Sequence, residues 1–105
     1  MSATMFGLDD YRAKAIAGAK RAAAELEPRG LEVIVTGSLA RGDFGIGSDV
    51  DFVVIGCPRH LKYAIEGIVE DALGGIPFDV IYKEEIPLSR LPRFVDGAVR
   101  ALDLA

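Results

Sequence analysis

Two aspartates, Asp49 and Asp51, stand two positions apart at the start of an apolar run from Val50 to Ile55. In a strand, residues i and i+2 project from the same face, so the two carboxylates lie side by side. Close carboxylates repel, and burying them unpaired is costly. A bound cation removes that cost. Hard cations such as Mg²⁺ prefer oxygen ligands and often share them with substrate phosphates. Two metals about 3.5–4 Å apart can clamp the attacking and leaving oxygens of a phosphoryl displacement.

A second group precedes the acids. Gly37 and Ser38 follow a β-branched run, Leu31 to Thr36. Gly37 lets backbone approach a ligand closely, and Ser38 offers a hydroxyl and an N–H. A helix start just beyond would aim further N–H groups at an anion. Arg41, one turn on, either adds a charge-assisted contact to phosphate or pairs with Asp43 or Asp49. Ser48 reads as a brace of the loop before Asp49. A third acid, Asp79, sits between Phe78 and Val80. A lone acid in an apolar strand needs a partner or a function. If the strands are neighbours, Asp79 reaches the same site, as a metal ligand and proton acceptor.

These residues must be held by ordered elements. Asp9 to Glu27 is rich in helix formers, with Leu8, Tyr11, Ala15, Ala19, Ala22 and Leu26 on one face. Asp9 and Asp10 suit the positive end of its dipole. Leu31–Thr36, Val50–Ile55 and Phe78–Tyr82 read as buried strands. Leu39–Asp43 reads as one or two helical turns, and Phe44–Ser48 as a glycine loop. Pro58–Leu73 reads as a second full helix. Pro87–Leu104 reads as a C-terminal helix with Leu88, Leu91, Phe94, Val95, Ala98, Val99 and Leu102 turned inward, Pro92 restricting its start. The expected class is α/β (α+β), a small mixed sheet of about three to four strands flanked by helices.

The chain has 105 residues, half of them hydrophobic, which suits a single domain over 1–105. Cys57 and His60 are each the sole residue of their type, so neither a disulfide nor a cysteine-based zinc site is expected. A net charge of −4 disfavours a partner held through nucleic-acid phosphates. No apolar run approaches the ~20 residues of a membrane span, and Met1 to Asp10 lacks a signal-peptide pattern. The protein is expected to be soluble and cytoplasmic, with no membrane partner. Its apolar content leaves self-association open.

Gly37-Ser38, ten intervening residues, then Asp49-Val50-Asp51 resembles the signature of the DNA polymerase beta-like nucleotidyltransferase superfamily. With Ala40-Arg41-Gly42 and Ser48 before the acid pair, the string resembles the minimal (MNT) branch. Asp79 falls where that family places its third catalytic carboxylate. The resemblance implies a nucleotidyltransferase fold, Mg²⁺ or Mn²⁺ held by Asp49, Asp51 and Asp79, and a nucleoside triphosphate held by Gly37, Ser38 and Arg41. It further implies transfer of AMP from ATP to a hydroxyl, as in MNT antitoxins that modify HEPN-type toxin partners. Two alternatives stand beside it. One is a binding module that neutralises a toxin by contact alone. The other is a small-molecule nucleotidyltransferase, which the short chain disfavours.

Overall fold

The computed structural model describes residues 8–105, and side chains from Asp10 onward. Its first element is α1 (Leu8–Leu26). Ala15, Ala19, Ala22, Ala23 and Leu26 are fully buried along one face, following the three- and four-residue spacing. The roles expected of Leu8 and Asp9 concern side chains outside those described. The small residues let α1 press against α3 (Lys62–Leu73). A Cβ at Gly18 would lie 2.7 Å from Leu73 Cδ2 and 2.9 Å from the Ala72 carbonyl oxygen. The leucine end can give, but the carbonyl is fixed in its helix.

Gly18→Ala therefore tests this packing. Alanine favours the helix by about 1 kcal/mol, while overpacking costs about 1–3 kcal/mol. The variant should melt several degrees below the wild type. A melting temperature at or above the wild-type value would show that the helices separate without cost.

The described residues form a four-stranded mixed sheet: β1 (Glu32–Thr36), β2 (Val50–Ile55), β3 (Phe78–Tyr82) and β4 (Val99–Arg100), in the order β3-β2-β1-β4. β1 is antiparallel to both β2 and β4. β2 and β3 are parallel, with α3 as the crossover that a parallel pair requires. Between β1 and β2 lies the short α2 (Gly37–Arg41), and between β3 and β4 the short α4 (Leu91–Val95). The expected mixed α/β class holds.

Alternation within the strands divides the apolar residues between two faces. Val33, Val35, Val50, Phe52 and Val54 join the main core with α1 and α3. Ile34 and Val53 face the other way, where Ile86, Leu91, Phe94, Val95 and Ala98 cover them. β2 is thus buried on both faces, which explains its almost unbroken apolar run.

The C-terminal helix expected over Pro87–Leu104 is corrected. Helix runs only from Leu91 to Val95, with Pro92 in its first turn. Asp96 is extended and Gly97 takes a left-handed φ of 74°, which reverses the chain. Val99 and Arg100 then pair with Val35 and Ile34. Pairing there satisfies backbone groups along β1 that a helix would leave open. The expected inward stripe breaks accordingly: Leu88 is 85% exposed and Leu102 39% exposed. Two smaller shifts occur elsewhere. The helix after β1 begins at Gly37 rather than Leu39, and α3 starts at Lys62 after a 3₁₀ turn at Arg59–Leu61.

Candidate active site

Strand register assembles the site. Thr36 pairs with Asp51 across β1 and β2, and Asp51 pairs with Asp79 across β2 and β3. Side chains directly opposite in a sheet project from the same face. Asp51 and Asp79 are therefore neighbours, as the sequence required if the strands were adjacent. This register is locked beside the acids, where the Val50 N–H donates to the Pro77 carbonyl at 2.9 Å.

The loop before Asp49 is also pinned. Phe44 is buried and stacks on Tyr11 with 5.4 Å between ring centroids. The Gly45 N–H donates to Ser48 Oγ at 3.0 Å, and the Ser48 N–H donates to the Gly45 carbonyl at 2.9 Å. Ser48 thus braces the loop, as its position suggested. Asp49 stays exposed at the loop end, and Asp79 is exposed on the edge strand β3.

Asp51 is half-buried between them. Burial pushes its carboxyl above the ordinary range, and the nearby charges of Asp79 and then Asp49 push the same way. Arg41 opposes the shift. Both other expected acids thus act on Asp51. Gly37 completes this arrangement with a left-handed φ of 74°. A Cβ there would run into Asp51 Oδ2 and lie 3.3 Å from its Cγ. Only a glycine lets the backbone after β1 lie this close to the Asp51 carboxylate.

Beside Asp51 opens a cleft of about 310 Å³. Gly37 and Arg41 form one wall, and Asp51 and Ile81 lie in it as well. Asp49, Asp79 and Ser38 are not part of its lining. Arg41 makes a 3.5 Å ion pair with Asp43, not with Asp49, and both partners are about two-thirds exposed. Such a pair is worth about 0–1 kcal/mol, so the guanidinium is readily released to an anion.

Among the described residues, no three His, Cys, Asp or Glu side chains converge as a metal cage. The acids form an open row instead. That donor set still suits a hard divalent cation: all its ligands are oxygens, they repel one another, and the open side leaves room for phosphate oxygens.

Sequence reasoning missed part of the cleft lining. Arg93, Phe94, Asp96 and Gly97 form it, all from the segment expected to be a long inward helix. Pro92 and Gly97 were the available signals. Two helix-breaking residues five positions apart leave room for little more than one helical turn.

A family model described as a nucleotidyltransferase domain matches residues 16–101. The chain belongs to the nucleotidyltransferase domain family. That span of this nucleotidyltransferase domain includes α2, both strand acids and the α4 wall. A solved structure from Sulfolobus solfataricus, described provisionally as a nucleotidyltransferase, is similar in fold. It has a TM-score of 0.52 and 21% identity, covering 88% of this chain and 83% of that one. No curated protein sequence matches significantly.

Away from the cleft, Tyr82 has a structural role. The Tyr82 hydroxyl has two acceptors for its one proton, the Lys62 carbonyl and Glu66 Oε2, each at 3.2 Å. Burial and then Glu66 push its ionisation well above the ordinary range. Cys57 is half-buried, and His60 is exposed in the turn before α3. No helix among the described residues is long and apolar enough to cross a membrane.

Proposed function

We propose that this nucleotidyltransferase domain transfers AMP from ATP to a hydroxyl on a protein acceptor of the HEPN toxin type, with Mg²⁺ or Mn²⁺ as cofactor. One observation carries the reading: Asp51 lies in register with Asp79, with the Gly37 backbone against its carboxylate and a cleft alongside. The choice of acceptor rests on the resemblance of the Gly37–Asp51 string to MNT antitoxins.

Asp49, Asp51 and Asp79 would hold the divalent cation, which neutralises phosphate charge and polarises the reacting oxygens. Gly37 admits the triphosphate close to the chain. Ser38 offers its hydroxyl and N–H, and Arg41 exchanges Asp43 for a phosphate oxygen. Asp79, exposed on the edge strand, accepts the proton of the acceptor hydroxyl. The hydroxyl oxygen then bonds to the α-phosphorus. The bond from that phosphorus to the bridging oxygen breaks, and pyrophosphate leaves with the electron pair.

The reaction is tested with ATP labelled at the α-phosphate, Mg²⁺ and a HEPN-type partner. Label should appear on the partner, with pyrophosphate released in equal amount, and chelation should stop both. Absence of labelling on the partner would remove the proposed acceptor. Transfer that persists in excess chelator would remove the metal.

A further inference from the structure

We propose that Arg93 is a polyphosphate-binding residue, the second guanidinium of a clamp whose first is Arg41. The inference rests on the nucleotidyl-transfer reading and adds the part of the cleft that α4 and its following turn contribute.

The fold fixes where Arg93 stands. Leu91, Phe94 and Val95 pack on Ile34, Val53 and Ile86, anchoring α4 to the sheet on either side of Arg93. β4 pairs with β1 through Val35↔Val99 and Ile34↔Arg100. The ladder ends there, just where Thr36 closes β1 before α2 and Ala98 leads from the α4 turn into β4. The turn leaving α4 therefore lies alongside the turn entering α2. Arg93 and Arg41 line the same cleft from these two sides, with Asp51 in it.

Arg93 is exposed, and among the described residues it takes part in no ion pair. A solvated surface arginine would serve solubility equally well on any convex face. This one lines a concavity that also holds the Asp51 carboxylate. Guanidinium groups meet phosphate oxygens in a bidentate fork that an ammonium cannot reproduce. The cleft also contains Asp96. Two arginines and two aspartates in one lining suit a polyphosphate carrying its own divalent cation better than a bare anion.

The probes are Mg²⁺–ATP, Mg²⁺–tripolyphosphate and AMP, titrated calorimetrically into wild type, Arg93→Ala and Arg93→Lys. Tripolyphosphate removes any dependence on the base. Arg93→Ala should weaken ATP and tripolyphosphate about tenfold or more. AMP binding and melting temperature should stay near wild type. Lysine should restore part of the loss. In turnover, KM for ATP should rise more than kcat falls.

Unchanged tripolyphosphate affinity in Arg93→Ala, with the wild type binding normally, would overturn this assignment and leave the donor site standing. Equal loss of ATP and AMP with a lowered melting temperature would also overturn it, reducing Arg93 to a scaffold residue. A wild type that binds neither ATP nor tripolyphosphate would overturn both this inference and the donor-site reading.

Discussion

Asp51→Asn should abolish nucleotidyl transfer while making the metal-free protein more stable. The two effects share one cause. Asp51 is half-buried beside Asp79 and Asp49, and its carboxyl is raised by burial first and by those acids next. Asparagine is nearly isosteric and neutral, so it removes the repulsion without opening a cavity. It also removes the central carboxylate of the proposed metal site. Metal stabilisation of transition-state charge is worth several kcal/mol, and each ~1.4 kcal/mol is tenfold in rate. Activity should therefore fall by at least about a hundredfold.

The stability gain depends on pH in a defined direction. Asp51 binds its proton more tightly folded than unfolded, so its folded-state value lies above the unfolded one. The stability linked to that proton is fully present below the unfolded value and is lost as pH rises through the folded one. The melting temperature of Asp51→Asn should thus exceed wild type at neutral pH. The gap should close as pH falls toward about 4, the unfolded carboxylate range. Added Mg²⁺ should raise the melting temperature of wild type, by mass action on the folded state, and move the variant much less. A variant less stable than wild type at neutral pH without metal would contradict the electrostatic account.

The acid pair and its glycine turn were legible in the sequence because short-range rules govern them. β2 keeps its expected bounds, Val50–Ile55, which place Asp51 on the strand and Asp49 at the end of the loop before it. Gly37 announced a backbone that a side chain would obstruct. The meeting of Asp51 with Asp79 was legible only conditionally. It depends on β2 and β3 being neighbours, and single-strand patterns carry no pairing information.

The segment from Pro87 to Leu104 departs from its sequence pattern for a different reason. Leu88, Leu91, Phe94, Val95, Ala98, Val99 and Leu102 do recur at helical intervals. Several of them are apolar because α4 covers Ile34 and Val53, and Val99 because it joins the sheet edge beside Val35. Tertiary pairing overrode the local period there, and Gly97 at φ 74° is where it did so. The part of the cleft lining that includes Arg93 was hidden for the same reason.

Gly37→Ala should cost the protein both stability and nearly all activity. Two penalties act at one atom. The backbone at Gly37 has φ 74°, a region that costs an L-residue about 1–2 kcal/mol. The added methyl also runs into Asp51 Oδ2, so the carboxylate must swing away or β1 and β2 must part. The second course is resisted by the register from Glu32↔Ile55 to Thr36↔Asp51 and by Val53 and Phe52, both fully buried. The carboxylate is the softer element, so it should move. Displacement of a reacting group by about 1 Å costs on the order of a hundredfold in rate. Loss of activity should therefore exceed what the stability change accounts for at a temperature where the variant is still folded. Asp51→Gly separates the two penalties when combined with Gly37→Ala. Removing the carboxylate leaves only the backbone strain, so the alanine should destabilise this double variant less than it destabilises wild type. Equal destabilisation in both backgrounds would mean that the methyl and the carboxylate never meet, and that Gly37 serves the turn alone.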